Sequence, residues 1–345
     1  MRLLIAAAAL LFCASALPVS ARAPAPVISG TTDIDGHVVR YAIAHLDRLH
    51  VRVVLAHDLV GRTDSLANMA NHYHALAAIN GGYFEAYSHR PIKNLIHTMV
   101  VDGTLVFKGD VGSILYFDRA NHATIERIPL RIEGSLDGSL AYPNNWYAYW
   151  LNRLPGDGGE TITIFTPAWG AQTGLDGGPQ VQVDGGIVTA IADRSMPIPR
   201  NGYVIYFRGE ERVAEHFRVG RRAEYYVVRA DGGDLGPFAQ AWEAMGCGPQ
   251  LLVNGRAFAD AAAEGFTDPK VYGSVERSMV GVSRDGSELI FATSSGTLLQ
   301  MAEIMKRLGA YDAMNLDGGA SSGLWAAGRY LTKPGRNLAS ALVVQ

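Results

Sequence analysis

Residues 279–322 read MVGVSRDGSELIFATSSGTLLQMAEIMKRLGAYDAMNLDGGASS. Two apolar runs, residues 279–283 and 289–292, flank Arg284-Asp285-Gly286, a turn tripeptide between strand-like segments, and predict a β-hairpin. Residues 298–308 then change period. Leu298, Met301, Ile304, Met305 and Leu308 recur at helical spacing, and Gly309 is a natural stop. A short strand, residues 314–316, runs into the turn Asp317-Gly318-Gly319. Hairpin, helix, strand and glycine turn within 44 residues predict a mixed fold with sheet and helix in one unit.

The same pattern extends in both directions. Residues 38–56 read as two strands. Asp64 or Ser65 caps a predicted short helix to about residue 76, with Leu66, Met69 and Ala70 on one side. An apolar strand then ends at Asn80-Gly81-Gly82. Residues 99–133 read strand, turn, strand, with Asp102-Gly103 as the turn. Residues 181–191 predict a hairpin at Asp184-Gly185-Gly186, and residues 203–207 and 224–228 two further strands. Residues 238–245 read as a short helix, residues 250–253 as a strand turning at Asn254-Gly255, and residues 339–344 as the closing strand. Residues 143–176 are the least regular part, a candidate for loops over a site. There is no fixed-period repeat and no linker. The expected class is α+β: a mixed, sheet-rich single catalytic domain with a few helices.

Composition narrows the function. The 345 residues carry a formal net charge of −3, which gives no footprint for nucleic acid. Arg2 precedes an apolar stretch, residues 3–16, and small residues follow at Ser20, Ala21 and Ala23. This is the order of a secretory signal peptide, too short for a convincing membrane span. The expected division is residues 1–23 as signal peptide, 24–37 as an N-terminal segment and 38–345 as the catalytic domain. The protein is thus expected to be exported, periplasmic or extracellular. Cleavage removes Cys13 and leaves Cys247 alone, so the mature chain has no internal disulfide. Cys247 is expected to be a buried small apolar residue.

Among chemical motifs, the phosphate-cradling Gly-rich loop, the Gly-x-Ser-x-Gly elbow and the His-Glu-x-x-His zinc motif are missing. His72 and His74 fall on different faces of the predicted helix, a poor metal pair. Asp-Gly-Gly begins at Asp157, Asp176, Asp184, Asp231 and Asp317. At Asp157, Asp184 and Asp231 a structural turn accounts for it. Asp317 differs, because Ser321 and Ser322 follow and place a carboxylate beside bare backbone and two hydroxyls. Successive N–H groups in such a turn form an anion-binding concavity. Asn80-Gly81-Gly82-Tyr83-Phe84 puts a polar residue at a strand end, where glycines let a ligand approach. Glu85 follows as a second candidate carboxylate. Arg277 supplies a planar fork suited to phosphate.

Taken in order, residues 80–84, residues 248–255 (GPQLLVNG), residues 277–282 (RSMVGV) and residues 315–322 (NLDGGASS) resemble the signature blocks of the phosphodiester glycosidase family. The 298–310 helix and the closing segment with Pro334 and Arg336 fit as well. The resemblance covers about residues 38–345. It implies that Asn80, Gly81, Gly82, Arg277, Asp317, Gly318, Gly319, Ser321, Ser322 and Arg336 line the active site, with no metal and no cofactor. Ala320 stands where a third glycine is common, Ser278 replaces a frequent threonine, and residues 88–99 depart from the usual pattern.

The reaction so implied is hydrolysis of a sugar-1-phosphodiester at the anomeric carbon, giving free sugar and a phosphomonoester. Glycosidases commonly use two carboxyl groups. Asp317 is the expected nucleophile or base, with Glu85 and Asp176 as candidates for the other role. Arg277 and the glycine turn would take up charge on the departing phosphate. One rival is a metal-dependent phosphodiesterase, which needs a cluster of His and carboxylate ligands. The other is a non-catalytic envelope module binding anionic glycans, for which Arg208, Arg212, Arg218, Arg221 and Arg222 are the natural surface.

Overall fold

A computed structural model describes residues 25–156 and 158–345. The expected signal peptide, residues 1–23, together with Pro24 and Asp157, lies outside the described residues. The described residues are 44% strand and 11% helix, so this part of the chain is mainly β. The sheet-rich architecture with few helices is as expected, and the α+β label fits only loosely.

A seven-stranded antiparallel sheet carries one side of the site. Its order is Val27–Ile34, His37–His45, Glu288–Gly296, Val275–Ser283, Ala310–Asn315, Gln250–Val253, Arg256–Ala257. Alternation along these strands sorts side chains to two buried faces. Met279, Ile290, Ala292 and Ala313 pack under the helix Leu298–Arg307, against Met301, Ile304 and Met305. Val280, Phe291 and Met314 face the opposite way, into the main core with Val53, Ile79, Leu115 and Leu342. Burial on both faces explains why these strands read as unbroken apolar runs. The helix begins at a capping box in which Thr297 and Gln300 satisfy each other's backbone N–H groups.

A five-stranded sheet carries the other side, in the order Arg329–Thr332, Leu324–Ala326, Ala77–Asn80, Ser340–Val344, Val51–Leu55. The closing strand lies between the two early ones, with Leu342 opposite both Val53 and Ile79. The helix Leu66–His72, capped by Ser65 as expected, covers this sheet through Leu66, Met69 and Ala70. A third sheet, Thr104–Phe107, Met99–Val101, Glu243–Cys247, Ser113–Phe117, Ala123–Glu126, completes the core. Two further sheets, of three and five strands, built from residues 130–229 pack around Trp146, Ile162, Phe207 and Phe217.

Two expectations on local structure fail. Residues 238–245 are not a helix. A short 3-10 turn, Gly236–Gln240, leads into the strand Glu243–Cys247. Alanine, methionine and glutamate favour helix weakly, and pairing on both edges, with Ser113–Phe117 and Met99–Val101, overrides them. Residues 143–176 are more regular than expected, holding the strands Asn145–Ala148, Trp150–Leu151 and Thr161–Phe165. Cys247 is fully buried, and that burial raises its thiol pKa. Among the described residues no helix is long and apolar enough to cross a membrane.

Candidate active site

The strand Ala77–Asn80 ends beside the turn after Ala310–Asn315, and Asn80 ties the two together. Its carboxamide donates to the Asp317 carbonyl at 2.8 Å and accepts from the Gly323 N–H at 3.0 Å. Asn80 is almost fully buried, so it positions the Asp317 turn from behind. Gly81 and Gly82 follow for steric reasons. A Cβ on Gly81 would lie 2.1 Å from the Ser340 hydroxyl, and one on Gly82 would lie 2.5 Å from the Gly246 carbonyl oxygen. The chain then turns outward. Tyr83 packs between His97 and Phe266 and accepts a hydrogen bond at 2.9 Å from Asn315.

Arg277 is the largest fully buried side chain. Its Nε donates to the Gly296 carbonyl at 3.0 Å, and Nη2 donates to the carbonyls of Val271 at 2.8 Å and Gly273 at 2.6 Å. Nη1 donates to Asn315 Oδ1 at 3.2 Å. Four of the five guanidinium N–H groups are therefore committed to the protein. The remaining one is on Nη1, and Arg277 lines the cavity described next.

That cavity has a volume of about 310 Å³. Asp317, Gly318, Gly319, Ser321, Arg277 and Arg336 line it, so six of the expected site residues converge there. Tyr83, Phe84 and Ile96 give it an apolar wall, and Tyr87, Asp268 and Lys270 also line it. Burial pushes the Asp317 carboxyl up to about 7, against the opposing pull of the Ser321 hydroxyl, the Arg336 charge and the Gly318 N–H. Gly319 holds the turn at a φ of +60°, where a side chain is disfavoured. A Cβ on Gly318 would meet the Glu276 carbonyl at 2.8 Å. Arg336 comes from the loop before the closing strand. The Gly335 N–H bonds to the Ala320 carbonyl at 2.8 Å and fixes this loop against the turn.

Other candidates sit elsewhere. Asn80, Gly81, Gly82 and Ser322 lie outside the lining, as a supporting layer; the Ser322 hydroxyl is buried with no hydrogen-bond partner. Glu85 is turned away, bonded to Asn94 at 3.1 Å and paired with Arg153 at 3.3 Å. Asp176 accepts from the Ser195 N–H at 2.8 Å in an exposed turn. Four of the five arginines of the anionic-glycan alternative are engaged locally: Arg208 with Gly158 and Gly159, Arg218 with Phe217, Arg221 with Asp137, and Arg222 with Glu224. Among the described residues no three His, Cys, Asp or Glu side chains are grouped to hold a metal ion. Sequence reading missed Tyr87 and Lys270. Asp268-Pro269 does announce a helix start, but nothing local shows that it faces Asp317.

Solved structures share this architecture. A hypothetical protein from Synechocystis is 25% identical with a TM-score of 0.77, over 92% of this chain and 61% of that one. The chain thus spans about three fifths of that protein's length. A Burkholderia pseudomallei protein provisionally named as exported is 21% identical with a TM-score of 0.73, over 89% of this chain and 74% of that one. The zebrafish N-acetylglucosamine-1-phosphodiester alpha-N-acetylglucosaminidase catalytic domain is 14% identical with a TM-score of 0.50, over 92% of this chain and 82% of that one. The last two likenesses concern the fold. A search of curated proteins found no match. Residues 177–345, which contain Arg277, Asp317 and Arg336, match the phosphodiester glycosidase model, so this part of the chain carries a phosphodiester glycosidase-like domain.

Proposed function

We propose that this protein is an exported hydrolase that cleaves a sugar-1-phosphodiester at the anomeric carbon, releasing free sugar and a phosphomonoester. The observation that carries this reading is the cavity itself. One carboxyl held near neutrality, Asp317, shares it with the cations Arg277, Lys270 and Arg336. In its ionised form Asp317 either attacks the anomeric carbon or takes a proton from the water that does. The bond between that carbon and the bridging oxygen breaks, and its electron pair leaves with the phosphate. A phosphomonoester is a fair leaving group, so stabilising its charge matters more than strong general acid catalysis. If Asp317 attacks, water then cleaves the glycosyl–carboxylate bond and frees Asp317; by either route the water oxygen becomes the anomeric hydroxyl and its other proton passes to the phosphomonoester or to solvent.

Hydrolysis in heavy-oxygen water tests which bond breaks. The label is expected on the sugar's anomeric oxygen, trapped quickly before exchange, with an unlabelled phosphomonoester and a rate unaffected by a chelator. Label in the phosphate, or loss of activity on chelation with rescue by a divalent ion, would favour the metal-dependent phosphodiesterase. Binding without turnover would favour the glycan-binding module.

Export is supported by the signal-like start and by the provisional name of the Burkholderia relative. The intact mass of protein recovered from the cell envelope is expected to correspond to a chain beginning near Pro24. A mass that retains residues 1–16 would defeat this.

A further inference from the structure

We propose that Lys270 and Arg336 form an oxyanion seat around the Tyr87 ring at the mouth of the cavity, and that this seat holds the phosphate of the diester substrate and of the phosphomonoester product. The role in turnover rests on the hydrolase reading, whereas the anion seat itself does not. Three separate segments build it. Tyr87 lies on the loop after the Ala77–Asn80 strand, Lys270 on the one-turn helix Pro269–Tyr272, and Arg336 before the closing strand. The Arg336 guanidinium carbon lies 4.5 Å from the Tyr87 ring centroid, and its Nη2 donates to the Tyr87 hydroxyl at 2.8 Å. The Lys270 ammonium lies 5.5 Å from the same centroid.

Two cations on one ring repel each other, and the ring's quadrupole offsets that only in part. Among the described residues neither has a carboxylate within ion-pair distance. Asp268, the nearest in sequence, accepts from the Lys270 backbone N–H at 2.9 Å as the cap of its own helix. The cavity lining as a whole holds three cations, Lys270, Arg277 and Arg336, and two carboxyl groups, Asp268 and Asp317. When Asp317 is protonated the excess of positive charge grows. An anion reaching both cations relieves the repulsion, and a dianionic monoester does so more than a monoanionic diester. Arg336 offers a planar fork and Lys270 a point charge, a pair suited to the rounded surface of a phosphate. Tyr87, at 77% exposed, leaves the seat open to solvent, so the group beyond the phosphate extends outward across it.

The test is titration of the purified protein with inorganic phosphate and with methyl phosphate, followed by calorimetry and NMR. Kd for both is expected to rise about tenfold in Lys270→Gln and in Arg336→Gln, because each loses a charged partner. Lys270→Arg is expected to stay within about threefold of wild type. In turnover, Lys270→Gln should lower kcat/KM for a sugar phosphodiester at least about tenfold, through kcat as well as KM, because the seat favours the dianion that develops on the departing phosphate. Both phosphates should compete with substrate. Lys270 is exposed, so the variants are expected to keep the wild-type thermal midpoint. An unchanged Kd in Lys270→Gln, or a wild-type protein that binds neither phosphate, overturns the seat. Lys270-dependent phosphate binding in a protein that turns over no sugar phosphodiester would sustain the seat and remove the hydrolase reading instead.

Discussion

Asp317→Asn is expected to lower kcat/KM at least about a thousandfold, and at alkaline pH to make the protein more stable than wild type. Both effects come from one burial. The wall around Asp317 raises its carboxyl from 3.8 to about 7. The folded state therefore binds a proton that the unfolded state has released. Below about pH 4 both states are protonated and there is no penalty. Stability falls as pH rises from about 4 to about 7, then levels off once both states are ionised. The whole shift corresponds to no more than about 4 kcal/mol. Asparagine keeps the shape and removes the titration. Its thermal midpoint should match wild type near pH 4 and exceed it by about 5 °C at pH 8. In the proposed mechanism the ionised carboxylate does the chemistry, so wild-type kcat/KM should rise with pH through about 7. Full activity in the variant would remove Asp317 from the mechanism. A midpoint difference that does not change with pH would remove the burial argument.

Arg277→Met is expected to cost stability as well as turnover. Methionine fills much of the same space but leaves the carbonyls of Val271, Gly273 and Gly296 and the Asn315 side chain without their donor. Each orphaned buried acceptor costs about 1–3 kcal/mol. The sum, after relaxation, is on the order of 4 kcal/mol, and the thermal midpoint should fall by roughly 5 °C. Arg277→Lys keeps the charge, but a single ammonium on a flexible stem cannot reach four acceptors. It should recover only part of the loss. Urea unfolding with an unchanged slope is the check. A variant as stable as wild type would mean that Arg277 is held for chemistry alone and that its carbonyl partners have other donors.

The parts of this molecule that were legible in sequence are those set by local signals. The helix Leu298–Arg307, the 284–286 hairpin turn and the Asp317 turn follow from period and glycine placement, with a capping box at the helix start. The association of Asn80, Arg277 and Asp317 came from ordered family-like blocks rather than from any single motif. What failed depended on three-dimensional context. Residues 238–245 read as helix because nothing in them announces the strand Glu243–Cys247 or its two partners, about 126 to 146 residues upstream. Glu85 seemed a second carboxylate by being next to Phe84. Its N–H instead pairs with the Asn94 carbonyl, and that turn carries its side chain toward Arg153 and away from Asp317. Tyr87 and Lys270 sit in segments with no periodicity, and only packing brings them to one mouth.

The closing strand Ser340–Val344 has a consequence for timing. It separates Val51–Leu55 from Ala77–Asn80, so those two early strands meet only through residues made about 260 to 290 positions later. Asn80 likewise waits for the Asp317 carbonyl and the Gly323 N–H. During synthesis the first half of the chain can assemble hairpins, but not this sheet and not the Asp317 turn. Pairings over such sequence separations are slow to form. The nascent chain therefore spends its elongation without the Asp317 cavity, which is complete only after the last strand has been added.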